Sequence, residues 1–414
     1  MRSMEQAGQA PPSDGAEPAP RRVRLEAVGA RRPRVAVVCD LLEEGWPSMD
    51  LVAEMLLRHL STPAPSAVEA VRVRPRMVRR FGRLRFAGVA RAGHNVDRVL
   101  NRFWDYPRHL RGVGDFDLFH VVDHSYAQLV HGLPPGRTVV TCHDLDTFRC
   151  LLGSPAEPRS KPFRMLMGRV LGGLRKAAHV TCDSDHTRDE LLAYGLMPPE
   201  RVTVVRNGVA PIFSPRADPP ADAEAGRLLA EVPAGSPYVL HVGSTIPRKR
   251  VDVLLRVFAN VRRELPDLRL VRVGGPFTGE QRGLLSRLGL EGAVVILPFV
   301  EERVLAAIYR GAGLVLQTSE REGFGLPVVE AMACGTPVLA SDLAVLREVG
   351  GSAAVYCPVG DVAAWTEASI SALAERVSEP DAWAERQRAC VTRAAKFSWD
   401  EYTRRMLSIY EKLL

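Results

Sequence analysis

Short, uninterrupted apolar runs set the strongest limit on what this chain can fold into. Val35-Ala36-Val37-Val38-Cys39 is apolar throughout, with no polar–apolar alternation. A strand of that kind is buried on both faces, as in a parallel sheet covered by helices. Similar runs recur at 118–122, 138–142, 179–182 and 202–205. Between them lie stretches with helical spacing. In 50–60 the apolar positions are Leu51, Met55, Leu56 and Leu60, and 161–177 and 184–194 read as helices as well. Strands alternating with helices predict an α/β domain with a mostly parallel sheet.

The pattern breaks at 207–222, which holds Asn207-Gly208 and four prolines and reads as a linker. It then restarts, with strands expected at 238–242, 268–273, 294–297, 314–317 and 337–341. Helices are expected at 251–264, 278–288, 300–310, 327–333 and 362–375. Two sequential α/β domains follow from this. Ligands of such sheets bind beyond the carboxyl ends of the strands, which places the site in the cleft if the two sheets face each other.

With 414 residues, 46% hydrophobic and 25% charged, the chain has enough apolar content for two cores, and global disorder and fibrous folds are excluded. Residues 1–30, rich in Ala, Pro and charge, read as a disordered tail. The uncharged stretches 311–319 and 349–360 fall short of the ~20 residues of a membrane span. No apolar block follows Met1, which argues against a secretory signal. The seven cysteines are scattered without a C-x-x-C pair, as expected of reduced cytosolic thiols. Net charge is +7, and only five of the 55 basic residues are lysine. Between Val71 and Arg111, twelve arginines stand against Asp97 and Asp105, interleaved with Val73, Met77, Val78, Phe81, Leu84, Phe86 and Val89. Such a block suits either a solvated face or an anionic membrane surface.

The most informative segment is Glu322-Gly-Phe-Gly-Leu-Pro-Val-Val-Glu330-Ala-Met-Ala-Cys-Gly-Thr-Pro-Val338. Gly323 and Gly325 let backbone approach a ligand closely, and Pro327 suits a first helical turn. Free amides at that helix start make an anion site fit for a diphosphate. Glu330, near the start of the same helix, is placed to accept hydrogen bonds from ribose hydroxyls; the plainer reading is a carboxylate stabilising a helix start.

This segment resembles the donor signature of retaining glycosyltransferases of the family 4 type (glycosyl transferases group 1), which have the GT-B fold. The resemblance runs over about residues 35–412. It includes His241-Val-Gly-Ser244-Thr-Ile-Pro-Arg248-Lys249, the stretch from Val205 to Pro215, Thr141-Cys-His143-Asp144-Leu and the terminal Phe397-Ser-Trp399. It implies two facing Rossmann-like domains with parallel sheets and an interdomain cleft. Their expected limits are 31–210 on the acceptor side and 211–395 on the donor side, with a C-terminal helix in 396–414 packing back on the first domain.

The resemblance also assigns roles. Glu322, His143 and Lys249 are expected in catalysis. Ser244, Arg248, Lys249, Gly323, Phe324, Gly325, Leu326 and Glu330 are expected to bind the donor. Gly45, Trp46 and Asp144 are expected on the acceptor side. Many relatives carry Arg where Ser244 stands, and a Gly-Gly pair where Gly45 stands alone. His143 is expected as a neutral imidazole contacting the donor sugar. The implied reaction is retaining, metal-independent transfer from a nucleotide-diphosphate sugar, with no cofactor and no metal. GDP-mannose is favoured as donor and a glycan or lipid-linked glycan as acceptor. The implied place is cytoplasmic, peripheral on the inner face of a membrane, with no nucleic-acid partner. A GT-B sugar-nucleotide epimerase and a non-catalytic glycosyltransferase-like scaffold remain as rivals.

Overall fold

The computed structural model describes residues 31–61, 67–81, 89–153, 159–233 and 236–414. The expected tail, and Arg83, Leu84, Arg85 and Phe86 of the arginine-rich block, lie outside them.

Two six-stranded parallel sheets organise the chain. The first contains β1 (Arg34–Val38), β2 (Glu69–Val73), β3 (Leu118–Val121), β4 (Thr138–Cys142), β5 (His179–Cys182) and β6 (Val202–Val204), in the order β2-β1-β3-β4-β5-β6. The second contains β7 (Tyr238–Val242), β8 (Arg269–Val273), β9 (Val294–Leu297), β10 (Leu314–Gln317), β11 (Val338–Ser341) and β12 (Val355–Cys357), in the order β12-β11-β10-β7-β8-β9. Central strands such as β4 and β10 are buried along their whole length, which is why they read as continuous apolar runs. In each sheet the chain starts in the middle and reverses direction once, between β1 and β3 and between β7 and β10. Such switch points leave a crevice at the strand ends.

The sequence expectations missed two strands. Glu69–Val73 was read only as the beginning of the arginine-rich block, yet it forms β2 at the edge of the first sheet, with Arg72 exposed and Val73 buried. β12 is a three-residue edge strand. The segment read as linker also contains the start of a helix, Pro219–Leu228, capped by Asp218. Its two leading prolines fit a first turn, where their missing N–H groups have no helical partner to lose.

The last helix, Trp399–Leu413, returns to the first sheet. Tyr402, Met406 and Ile409 share an apolar cluster with Leu56 and Leu60 of the helix Pro47–Ser61. Its Tyr410 hydroxyl is 2.6 Å from His120 Nδ1 on β3. Shortly after β6, a Cβ at Gly208 would collide with the backbone of Trp399. Backbone therefore packs directly on backbone at that crossing.

Candidate active site

At the second switch point, the loops after β7 and β10 bring together the charged residues singled out in the sequence. After β7 the chain passes Ser244 and makes a tight turn over Pro247–Lys249. Arg250 then takes a left-handed conformation (φ 47°), and the helix Val251–Glu264 begins. Thr318, just past β10, donates its hydroxyl to the Lys249 carbonyl at 3.1 Å and fixes this turn.

Lys249 Nζ lies 2.6 Å and Arg248 Nη1 3.2 Å from the Glu322 carboxylate. Ser319 and Gln317 donate to the same carboxylate at 2.7 and 2.6 Å. Burial alone would raise the Glu322 acid, but Lys249 and then Arg248 outweigh it and hold it down at about 2. Glu322 thus fills the cationic loop with a protein carboxylate. In this arrangement its oxygens are taken up by Lys249, Arg248, Ser319 and Gln317. Gln317 and Ser319 were not singled out in the sequence. Their signal was position alone, at and just beyond the end of a buried strand.

The helix Leu326–Ala333 starts beside Glu322. Gly325 stands before it at φ +99°, a conformation that favours glycine, and no side chain caps the helix start. Gly323 packs against the first half of the chain, and a Cβ there would collide with the His143 carbonyl. Phe324 is buried edge-to-face on Phe397, with ring centroids 5.7 Å apart, so its side chain is a packing element and only its backbone borders the loop. Glu330 is buried one turn further on and accepts from the Tyr309 hydroxyl at 3.0 Å. Burial pushes its acid up to about 7. That hydrogen bond ties the Glu330 side chain to the neighbouring helix Glu302–Gly311.

The first half contributes a different kind of site. His143 follows β4, is buried, and uses both ring nitrogens: Nδ1 is 2.6 Å from Asp183 and Nε2 is 2.7 Å from the Val122 carbonyl. Burial opposes the charged form, but Asp183, followed by Asp123, raises the imidazole to about 10. The expectation of a neutral His143 free to bond a sugar hydroxyl is therefore corrected. An imidazolium donating to a carboxylate and a carbonyl has no N–H left over. Asp183 also accepts from Asn207 at 3.0 Å.

Asp144 accepts from the Asp146 amide at 3.0 Å. Asp146 in turn is 2.7 Å from Arg149 and 3.6 Å from both Arg248 and Arg321. Asp144, Asp146, Arg248 and Glu322 line a cavity of about 170 Å³ between the loops of the two sheets. Gly45 ends a short turn at φ 68° with open space around it, and the half-exposed Trp46 donates to Glu44 at 3.3 Å. Neither lines this cavity. Each aspartate of the two Asp-x-Asp pairs has a partner of its own: Asp183 meets His143, and Asp185 meets Arg188 and Arg206. Among the described residues, no group of three or more His, Cys, Asp or Glu is placed to hold a metal ion.

Two facing parallel α/β sheets with charged loops at their switch points define the GT-B class. The description "Glycosyl transferases group 1" matches residues 230–394, and "Glycosyltransferase Family 4" matches residues 51–213. The chain belongs to this family. It is 32% identical over 299 residues to D-inositol 3-phosphate glycosyltransferase of Thermobispora bispora, covering 68% of this chain and 66% of that one. It is 28% identical over 283 residues to O-antigen chain mannosyltransferase B of Escherichia coli, covering 67% and 71%. The chain thus spans just under two thirds of the inositol-phosphate relative. In fold it is similar to Anabaena HepE in complex with UDP-glucose, with a TM-score of 0.68 at 16% identity over 92% of this chain and 99% of that one. It is likewise similar to sucrose-phosphate synthase from Thermosynechococcus elongatus, with a TM-score of 0.68 at 19% identity over 92% and 99%.

Proposed function

We propose that this protein is a retaining, metal-independent glycosyltransferase. It moves a sugar from a nucleoside-diphosphate donor, GDP-mannose foremost, to a glycan or lipid-linked acceptor. One observation carries this reading: Arg248 and Lys249 converge on Glu322 beside an uncapped helix start, at the sheet's switch point. A diphosphate matches that pair of cations and those free amides. Breaking the bond from the sugar's anomeric carbon to the diphosphate builds negative charge on the leaving group. Fixed cations lower the barrier by holding that charge more tightly as it grows.

The acceptor hydroxyl attacks the anomeric carbon from the face the diphosphate leaves. The new C–O bond forms as the old one breaks, and the hydroxyl proton passes to a diphosphate oxygen. Lys249 and Arg248 bind the phosphates with the amides of Ser244, Gly325 and Leu326. Glu322 exchanges its cation partners for the donor and then holds the sugar. Glu330 turns to the ribose, and Asp144 faces the acceptor across the cavity. The mannosyltransferase relative supports a mannose donor, and HepE with UDP-glucose supports the uridine alternative.

The test is a panel of GDP-mannose, UDP-glucose and other nucleotide sugars with and without EDTA, followed by NMR of the product anomer. Retention with activity unchanged in EDTA supports the reading. Inversion, or activity lost in EDTA and restored by a divalent cation, overturns it.

An anionic membrane surface is part of the same proposal. Val78, Phe81 and Trp104 are exposed at 46%, 44% and 66%, and the neighbouring Arg76 and Arg79 are exposed with no acidic partner among the described residues. Other arginines of the block are already paired, Arg72 with Glu54, Arg74 with Asp50 and Arg80 with Asp105. Among the described residues no helix is long and apolar enough to cross a membrane. Binding would therefore be interfacial, on the inner face of a membrane, and screened by salt. Co-sedimentation with anionic vesicles at low salt checks it. Binding no greater than to neutral vesicles removes this part of the proposal.

A further inference from the structure

Arg272 sits on β8, in the middle of an apolar run, and is fully buried. Among the described residues it has no carboxylate within ion-pairing reach. Its guanidinium donates to backbone carbonyls instead: to Gly243 at 2.7 Å, to Gly275, and to Gly274 at a longer 3.5 Å. Nε has no partner. A buried charge without a counter-ion is costly, so a neutral side chain would be the expected occupant of this position.

Its surroundings deepen the imbalance. His241, on the neighbouring strand β7, is also fully buried, and neither ring nitrogen has a hydrogen-bond partner. Burial, with Arg272 and Lys249 nearby, holds that imidazole neutral. Of the carboxylates at the neighbouring loops, Glu322 is committed to Lys249 and Arg248, and Asp146 to Arg149, Arg248 and Arg321. Lys249 and Arg248 thus have carboxylate partners, whereas Arg272 has none among the described residues.

The carbonyls held by Arg272 also fix direction. In a trans peptide the C=O and the following N–H point opposite ways. Gly243 aims its carbonyl at Arg272, so the Ser244 N–H points away from it, and that N–H has no partner among the described residues. Gly274 packs so closely on Gly243 that a Cβ would collide with the Gly243 carbonyl, which leaves the peptide little room to flip.

We propose that Arg272 is a positioning residue for the diphosphate of the donor. It locks the Gly243–Ser244 peptide with its N–H outward and supplies, from behind the loop, positive charge that only a bound anion balances. This rests on the donor reading above. The alternative is that Arg272 merely ties two glycine turns together.

Calorimetric titration separates these. Wild type, Arg272→Met and Arg272→Lys are titrated with GDP, UDP and ADP and with the matching nucleosides, after a melt without nucleotide. We expect Arg272→Met to bind the preferred diphosphate about 10–100-fold more weakly, as for the loss of a charged contact, with nucleoside affinity changed less than about twofold. Arg272→Lys should recover part of the loss. Should Arg272→Met fail to fold, Ser244→Pro deletes the outward amide without touching Arg272 and should show the same selective loss. Wild-type binding that both Arg272→Met and Ser244→Pro leave unchanged, or that falls equally for diphosphate and nucleoside, overturns this inference alone. A wild type that binds no nucleoside diphosphate overturns the donor reading and this inference with it.

Discussion

His143 and His241 occupy comparable places, one at the carboxyl end of the first sheet and the other near the end of the second, yet the first is held cationic and the second neutral. Both are fully enclosed, and burial pushes both toward neutrality. Asp183 and Asp123 overcome that push at His143, whereas Arg272 and Lys249 reinforce it at His241. The difference extends to the whole strand ends. The first sheet places acidic side chains there: Asp123 and Asp183, with Asp40 beside them pushed toward its neutral form by burial and by Asp123. The second presents Arg248, Lys249 and Arg272. A base-rich end suits an anionic leaving group, and an acid-rich end suits hydroxyl donors. One cleft between such unlike ends favours a charged donor on one side and a polyhydroxyl acceptor on the other.

The His143–Asp183 pair offers the largest effect. Asp183→Asn leaves a buried imidazolium without its counter-charge, which costs about 3–5 kcal/mol. The pH dependence should change as well. The folded value of about 10 lies above the ordinary 6.5, so the pair stabilises fully below pH 6.5 and loses that stability as pH rises through 10. Denaturant melts from pH 6 to 10 should fall for wild type and stay flatter for Asp183→Asn. Parallel slopes would mean that His143 is neutral and that the two ends are less unlike than argued.

On the basic side, Lys249→Ala should lower kcat/KM by about 100–1000-fold, the scale for removing one preorganised contact to transition-state charge. Glu322→Ala sharpens the comparison. It should lower kcat as strongly yet leave binding of the free nucleoside diphosphate unchanged or tighter, because the competing internal carboxylate is gone. Weaker diphosphate binding by Glu322→Ala would show that Glu322 organises the cations instead of competing for them.

Glu330 breaks the rule that the second sheet's end is basic, and it carries its own pH signature. Its folded value of about 7 against an ordinary 4.5 means that burial of the carboxylate penalises folding. The penalty is absent below pH 4.5, grows as pH rises, and is complete above pH 7, at roughly 3 kcal/mol. Glu330→Gln should therefore stabilise the nucleotide-free protein at pH 8 while raising the donor KM. It should also erase a preference for ribose over 2′-deoxyribose donors. A variant that loses stability at pH 8 would mean that Glu330 is already ionised and satisfied.

How much of this was legible in the sequence depends on distance along the chain. Buried central strands announce themselves, because both faces must be apolar. Edge strands do not. β2 carries the exposed Arg72, and β12 is three residues long, so neither makes a continuous run. The loop chemistry from Glu322 to Glu330 was readable because its glycines, proline and carboxylates are adjacent. The charge of His143 was not, since Asp183 lies 40 residues away. Arg272 was hidden for a related reason. One arginine in an apolar strand gives no hint that its partners are carbonyls in the turns after its own strand and after the neighbouring one.

The smallest effect concerns how the last helix is held to the acid-rich sheet. Tyr410 meets His120 Nδ1 at 2.6 Å, and His120 Nε2 meets Thr141 at 2.7 Å. Burial holds this imidazole neutral, down at about 3, so one ring nitrogen donates and the other accepts. Tyr410→Phe keeps the ring and removes only the hydroxyl. A net hydrogen bond contributes about 0.5–1.5 kcal/mol, and the orphaned nitrogen can raise the loss toward about 3. The melting midpoint should fall modestly, with donor KM unchanged because neither residue contacts Lys249, Arg248 or Glu322. If donor KM rises with the loss of stability, the helix Trp399–Leu413 couples the two ends, and their chemistry cannot be treated as separate.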